Sequence, residues 1–418
     1  MYKQSFFIVA IQIVGIILGF LSIYFIAGDM GPELYSLVGV CTVVSGLILS
    51  FSHLGVETTM MRGALYWMEK GEIEKVREYT TQSFLSRMIG FVILFPFVVL
   101  YLLYICYNKY NGNYLTILLF FYFGACASAL NDSMSLIIRA QGNYLFSQAA
   151  KTINSSIVKF LAIFVYLKFG AMPYLYFYCL IPIPLFFVFY LKIRDNLDFR
   201  YISFSETVKK IKESRNLWLK SYMDYFTNYA DNLLVSVLFP PSIMGLYTLY
   251  KNIETIAKGF IEGFLDVIVQ RLVRYKGNVE RLVEMERKAS LIRWGLVCVV
   301  VLLAGIFLIH SEYIISLVNL SKYDGVYYSI LIVAVVSILC LIGKNENNLI
   351  ALMAPSDMVF KMGVFMFFVT IFSFISVFLF PTIWGVYSQR IVAYGLTSFI
   401  GLLVFRIKRL DYFTNVYK

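Results

Sequence analysis

Apolar runs of about 20 residues recur along almost the whole chain, and that is the length an α-helix needs to cross the hydrocarbon core of a bilayer. They lie near residues 5–27, 34–60, 84–107, 114–138, 148–168, 173–192, 217–239, 244–270, 290–310, 326–352, 358–380 and 383–405. In lipid each backbone amide must find its partner inside its own segment, so these runs commit the chain to an all-α integral membrane fold of about twelve spans. Composition agrees: of 418 residues, 60% are apolar and only 15% charged, against roughly 25% charged in soluble domains. The first run is longer than the roughly 7–15-residue core of a secretory signal and is read as a retained span.

The net charge of +11 would suit a nucleic-acid partner only on a soluble domain with a basic face or a binding motif, and neither is found. Membrane topology explains it instead. With the N-terminus inside, only Lys109, Lys168 and Lys322 fall outside, and Lys159, Lys251, Lys258 and Arg390 lie within spans. All other Lys and Arg residues fall on the inner side, so the positive-inside rule puts both termini in the cytoplasm. The outer loops are short, the longest running from Ser311 to Tyr323, and leave no domain to host chemistry. Cys41, Cys106, Cys126, Cys179, Cys298 and Cys340 are scattered with no C-x-x-C pair. No disulfide framework, metal site or cofactor is expected.

The same punctuation returns about 210 residues further on, a pattern of duplicated helix bundles. Leu34-Tyr35-Ser36-Leu37 returns as Leu246-Tyr247-Thr248-Leu249, Lys70-Gly71-Glu72 as Lys276-Gly277-Asn278, and Asn131-Asp132 as Asn345-Glu346. Six spans per half is an even number, so both halves enter from the same side and would be related by a pseudo-two-fold axis along the membrane normal. The expected organisation is a six-helix lobe over 1–192, a basic cytoplasmic linker over 193–216, a second six-helix lobe over 217–405 and a cytoplasmic tail over 406–418.

A charge at a helix centre costs about 2.5–3.5 kcal/mol on insertion scales, so in-span charges must face protein, water or a partner. Span 8 carries Lys251, Glu254, Lys258, Glu262 and Asp266, which share one face at helical spacing. Two readings fit: a stripe lining a substrate pathway, or a ladder of intrahelical pairs that neutralises itself. Span 7 adds Asp224, Asn228 and Asp231 on one face, span 5 Lys159, span 12 Arg390, and span 10 the Asn345 to Asn348 cluster. His53 and Glu57 in span 2 stand one turn apart. They could pass a coupling proton or form a plain hydrogen bond.

Three motifs add to this pattern: Gly31-Pro32-Glu33-Leu34-Tyr35, Arg139-Ala140-Gln141-Gly142-Asn143-Tyr144, and Asp231-Asn232-Leu233-Leu234 followed by Gly245-Leu246-Tyr247. With them the chain resembles the polysaccharide (O-antigen, Wzx-type) flippases of the multidrug/oligosaccharidyl-lipid/polysaccharide (MOP) superfamily. Where that family usually reads G-x-Y, Leu34-Tyr35 here follows Glu33. The resemblance implies a monomeric protein of the bacterial inner membrane that flips an undecaprenyl-diphosphate-type lipid-linked oligosaccharide by rocking of two lobes, with a polymerase and a chain-length protein as partners. Lys159, Lys251, Lys258 and Arg390 are the in-span cations available to a diphosphate. The acids Asp224, Asp231 and Glu254 leave structural pairing, sugar-hydroxyl recognition and a proton or sodium site open, and acids such as Asp231 and Glu254 would suit a multidrug exporter of the same superfamily, which holds a cationic drug with its coupling ion. A membrane enzyme acting on lipid-linked glycan is a third reading, for which no catalytic set is found.

Overall fold

A computed structural model describes residues 14–57, 67, 70–140, 143–274, 279–353 and 356–414. Every predicted span carries helix in its described residues, and no strand occurs among them. Residues 14–22 are helical and continue through a π-helical turn, Ile23–Ala27, into Gly28–Phe51 (α1). There follow Ile73–Tyr110 (α2), Leu115–Ala140 (α3), Tyr144–Phe169 (α4), Ala171–Leu180 (α5) and Pro182–Ile193 (α6). Phe204–Glu213 (α7), Arg215–Asn228 (α8) and Ala230–Leu238 (α9) come next. Pro241–Arg274 (α10), Val279–Leu317 (α11), Val326–Met353 (α12), Ser356–Ser373 (α13), Ile375–Leu379 (α14) and Ile383–Thr414 (α15) complete the chain.

Eight described helical stretches are long and apolar enough to cross a membrane, the first of which, Val14–Phe51, holds two predicted spans. The predicted spans at 148–168, 217–239 and 244–270 also carry helix. They hold Lys159, Asp224, Asp231, Lys251, Glu254 and Lys258, and charges within a span must be sheltered from lipid.

The chain divides into two compact units, Glu33–Pro241 and a second made of Met1–Pro32 with Ser242–Lys418. These are not the predicted lobes, 1–192 and 217–405, because each unit holds the first span of the other sequence half. Local contacts explain the exchange. Span 1 is tied to the 318–325 loop: the Tyr323 hydroxyl donates to the Ala27 carbonyl at 2.8 Å and Lys322 to the Asp29 carbonyl at 3.1 Å. Span 7 is tied to α1 and α2. Phe51 packs on Tyr222 and Tyr225 at 4.5 and 4.8 Å between ring centroids, and Tyr101 bonds Ser236 at 2.8 Å.

The chain passes between units at Pro32 and at Pro241. At the first crossing Gly31 sits at φ +74°, a region that favours glycine, and Pro32 restarts the helix with its ring already at a helical φ. Within the unit that contains both 1–32 and 242–418, Gly245 packs so closely that an added Cβ would land on the Pro32 carbonyl oxygen. Glycine is therefore required at the start of the Gly245-Leu246-Tyr247 motif.

The predicted linker is an ordered part of the Glu33–Pro241 unit. Ser203 caps α7 by accepting the Glu206 amide hydrogen at 3.4 Å. Glu206 in the first turn, with Lys210 and Lys212 in the last, suits the helix dipole. One face of α7 docks on the start of α2: Lys210 pairs with Glu78 at 2.7 Å and lies 3.4 Å above the Tyr79 ring. Gln82 bonds Thr207 and the Tyr201 carbonyl.

Candidate functional site

The charges of span 8 converge on one carboxylate. Glu254 on α10 and Arg390 on α15 are each 1% exposed, and Arg390 Nη2 donates to both Glu254 oxygens at 2.7 and 2.9 Å. On α10 itself, Lys258 reaches Oε1 at 2.6 Å and Lys251 reaches Oε2 at 3.3 Å. Tyr394, one turn beyond Arg390, accepts from Arg390 at 2.9 Å and bonds Lys258 Nζ. Its ring lies 4.1 Å from the Lys258 ammonium and 4.6 Å from the Arg390 guanidinium. Both interactions hold the cations in place without adding negative charge. Buried Tyr247 stacks on Tyr250, with ring centroids 5.4 Å apart, and Tyr387 meets Tyr250 at a tilt with centroids 5.3 Å apart.

Among the described residues one carboxylate thus meets three cations. The inner pair, Glu254 and Arg390, is closed off, whereas the Lys251 and Lys258 side chains keep 14% and 19% of their surface accessible. The two lysines are therefore the members of the cluster that a ligand can reach. The intrahelical pairs expected of a ladder do form, from Lys251 and Lys258 to Glu254, and Arg390 joins them from α15. Ammonium and guanidinium groups are the usual partners of phosphate.

The remaining predicted residues lie elsewhere. Asp231 is buried at the first turn of α9 in the Glu33–Pro241 unit, where its Oδ1 accepts the Asn232 amide hydrogen at 2.9 Å. The side chains of Lys159 on α4 and Asp224 on α8 are outside the described residues, as are those of Asn228, Glu262, Asp266, Asn345 and Asn348. His53 and Glu57 are engaged by other groups. His53 Nδ1 accepts the Gly55 amide hydrogen at 2.9 Å, inside a turn over Ser52 to Gly55. Both Glu57 oxygens are held by Arg87, Nε to Oε1 at 2.7 Å and Nη2 to Oε2 at 2.6 Å, and Ser133 also donates to Oε1.

Arg87 is the residue that the sequence reading missed. It is 1% exposed and also donates to Ser52 Oγ at 2.8 Å and the Leu49 carbonyl at 3.2 Å. Standing three residues inside the predicted span 84–107, it was counted among the inner-side charges. The internal repeat holds the signal that could have found it: the offset relating Lys70-Gly71 to Lys276-Gly277 carries Arg87 onto Arg293. Arg293 is paired within the other unit, to Glu346 at 2.5 Å. Two arginines at one register, each with a carboxylate partner, add a structural match to the duplication.

With this geometry in place, comparison with known proteins becomes informative. The profile of a family described as polysaccharide biosynthesis protein matches residues 1–275. The chain belongs to that family. No curated protein matches it. Among solved structures, an inward-facing multidrug resistance transporter of the MATE family, in the MOP superfamily, is 16% identical, with a TM-score of 0.71 over 96% of this chain and 95% of its own. A MOP superfamily transporter from Pyrococcus furiosus, for which a reverse polarity of the binding pocket is described as suggesting a different function, is 15% identical. Its TM-score is 0.66 over 99% of this chain and 97% of its own. These likenesses establish the fold: this member of the polysaccharide biosynthesis family is an all-α, multi-pass membrane protein built like the MOP superfamily transporters, which have twelve helices in two lobes.

Proposed function

We propose that the chain flips a polyprenyl-diphosphate-linked oligosaccharide from the cytoplasmic to the outer leaflet of the bacterial inner membrane by alternating access, supplying surface polysaccharide synthesis. The observation that carries this reading is the convergence of Lys251, Lys258 and Arg390 on Glu254, with the two lysine side chains partly accessible. A diphosphate crossing the membrane loses its hydration, and ammonium and guanidinium groups replace part of it. Family membership supports the glycan part of the reading and the fold supports the transport part. Lys159, Asp224 and Asp231 are proposed as further pathway residues, with both termini cytoplasmic by the charge rule. A polymerase and a chain-length protein would act on the product.

A multidrug exporter is favoured by likeness to MATE structures, but Glu254 is buried and already held by three cations, which leaves a cationic drug no open acid there. The reversed pocket polarity described for the P. furiosus relative makes such a change of cargo within this fold reasonable. Complementation of a deletion strain separates the two readings. Lys251→Ala, Lys258→Ala and Arg390→Ala are each expected to cut surface polysaccharide several-fold with drug susceptibility unchanged. Full glycan with raised drug sensitivity in the deletion strain would select the exporter.

A further inference from the structure

The second duplicated arginine opens on a cavity that the transport reading leaves unused. At the end of α11, α12 and α15 where the chain runs on toward the C-terminus, Arg293, Trp294, Val297, Ile342, Leu402 and Arg406 line an open space of about 330 Å³. Arg293 is anchored on three sides: Nη1 donates to Glu346 Oε1 at 2.5 Å and to the Ile342 carbonyl at 3.2 Å, and Nη2 to Ser290 Oγ at 3.3 Å. Its buried Nε–H has no acceptor among the described residues. Glu346 Oε2 is likewise buried without a donor, so the carboxylate offsets one guanidinium and not both. Arg406 is exposed and adds the second cation.

We infer that this cavity binds the phosphate of an anionic phospholipid headgroup. Among the described residues, two guanidiniums against one carboxylate leave a single positive charge, the complement of one phosphodiester, and an arginine fork with an N–H to spare suits its paired oxygens. The rest of the lining distinguishes a lipid from a free anion. Val297, Ile342 and Leu402 are apolar, and Trp294, 54% exposed, leads onto the outward surface of α11 with Leu291 at 67%. Tryptophan beside arginine is the composition of the membrane interface, and basic pockets between transmembrane helices on the cytoplasmic side are where anionic headgroups lodge. The charge-rule orientation puts this end of the unit on that side. The site is separate from the Glu254 cluster and does not depend on the cargo.

The test uses the full-length protein purified in a neutral detergent, titrated with dioleoyl phosphatidylglycerol, dioleoyl phosphatidylcholine or inorganic phosphate and read by melting temperature and by lipid retained in native mass spectrometry. Phosphatidylglycerol is expected to be retained over phosphatidylcholine. Arg406→Gln is expected to weaken it roughly fivefold, the worth of one cation near a membrane surface. Arg293→Lys keeps the charge opposite Glu346 but has no Nε–H, and is expected to weaken phosphatidylglycerol several-fold without lowering the lipid-free melting temperature. Equal retention of both lipids, or undiminished phosphatidylglycerol binding in both variants, would overturn the inference. Displacement of the lipid by inorganic phosphate at a comparable concentration would make it a free-anion site and remove the lipid assignment.

Discussion

Glu254 and Glu57 are both buried acids held by arginine, yet their surroundings give them different consequences. Arg87 and Glu57 form a closed bidentate pair whose remaining donors reach Ser52, Ser133 and the Leu49 carbonyl, so no charge is left for a ligand. Removing one partner strands the other in a medium that cannot solvate it. Arg87→Ala is therefore expected to cost about 3–5 kcal/mol, read as a lowered melting temperature in detergent and a smaller folded yield. Around Glu254 the cost and the function should separate. Glu254→Ala leaves three cations facing one another and is expected to destabilise the fold. Lys251→Ala and Lys258→Ala remove partly open charges, so a fall in transport with a nearly unchanged melting temperature is expected. A melting temperature that drops with the lysines as much as with Glu254 would make them structural. Little of this arrangement was legible in the sequence. Spacing placed Lys251, Glu254 and Lys258 on one face, but the arginine that joins them, Arg390, stands far along the chain on another helix, and no helical periodicity connects two helices.

At the scale of elements, hydropathy located the spans well because the bilayer sets their length. What hydropathy could not show is which helices pack together. Span 1 joins the unit of the second half through hydrogen bonds from Lys322 and Tyr323 to backbone carbonyls at Asp29 and Ala27, contacts that leave no trace in composition. The crossings are sensitive to small substitutions. Gly245→Val puts a branched side chain onto the Pro32 carbonyl. Loss of folded protein is expected, whereas Gly31→Ala, which meets open space but must hold φ +74° and ψ 166°, a region nearly exclusive to glycine, is expected to cost about 1–3 kcal/mol. The α7 segment was read as a polar linker because its charges outnumber its apolar residues, and its docking rests on polar contacts to α2. Near it, hydrogen bonds from Arg200 hold the Asp198 carboxyl down at about 2. A depressed acid contributes above its unfolded value and loses that contribution only as the pH falls toward the folded one. Protease cleavage within 193–216 is accordingly expected to stay constant between pH 8 and 5. Cleavage rising as the pH falls through that window would mean that another group governs the docking.

The whole molecule combines the fold of a MOP superfamily transporter with membership of a polysaccharide biosynthesis family and a buried carboxylate, Glu254, that three cations meet. Its repeat explains why two units of similar helix content exist. Of the arginines at the shared register, Arg87 sits in a sealed pair and Arg293 beside a cavity. The direct test is translocation in proteoliposomes made from purified protein, with a polyprenyl-diphosphate-linked oligosaccharide whose outer-leaflet fraction is scored by an impermeant glycosidase. Wild type is expected to move the lipid-linked sugar between leaflets, and a folded Lys251→Ala/Lys258→Ala double variant is expected to fall to the protein-free rate. Transport by the double variant at the wild-type rate, or wild-type protein no faster than empty vesicles, would contradict the proposal.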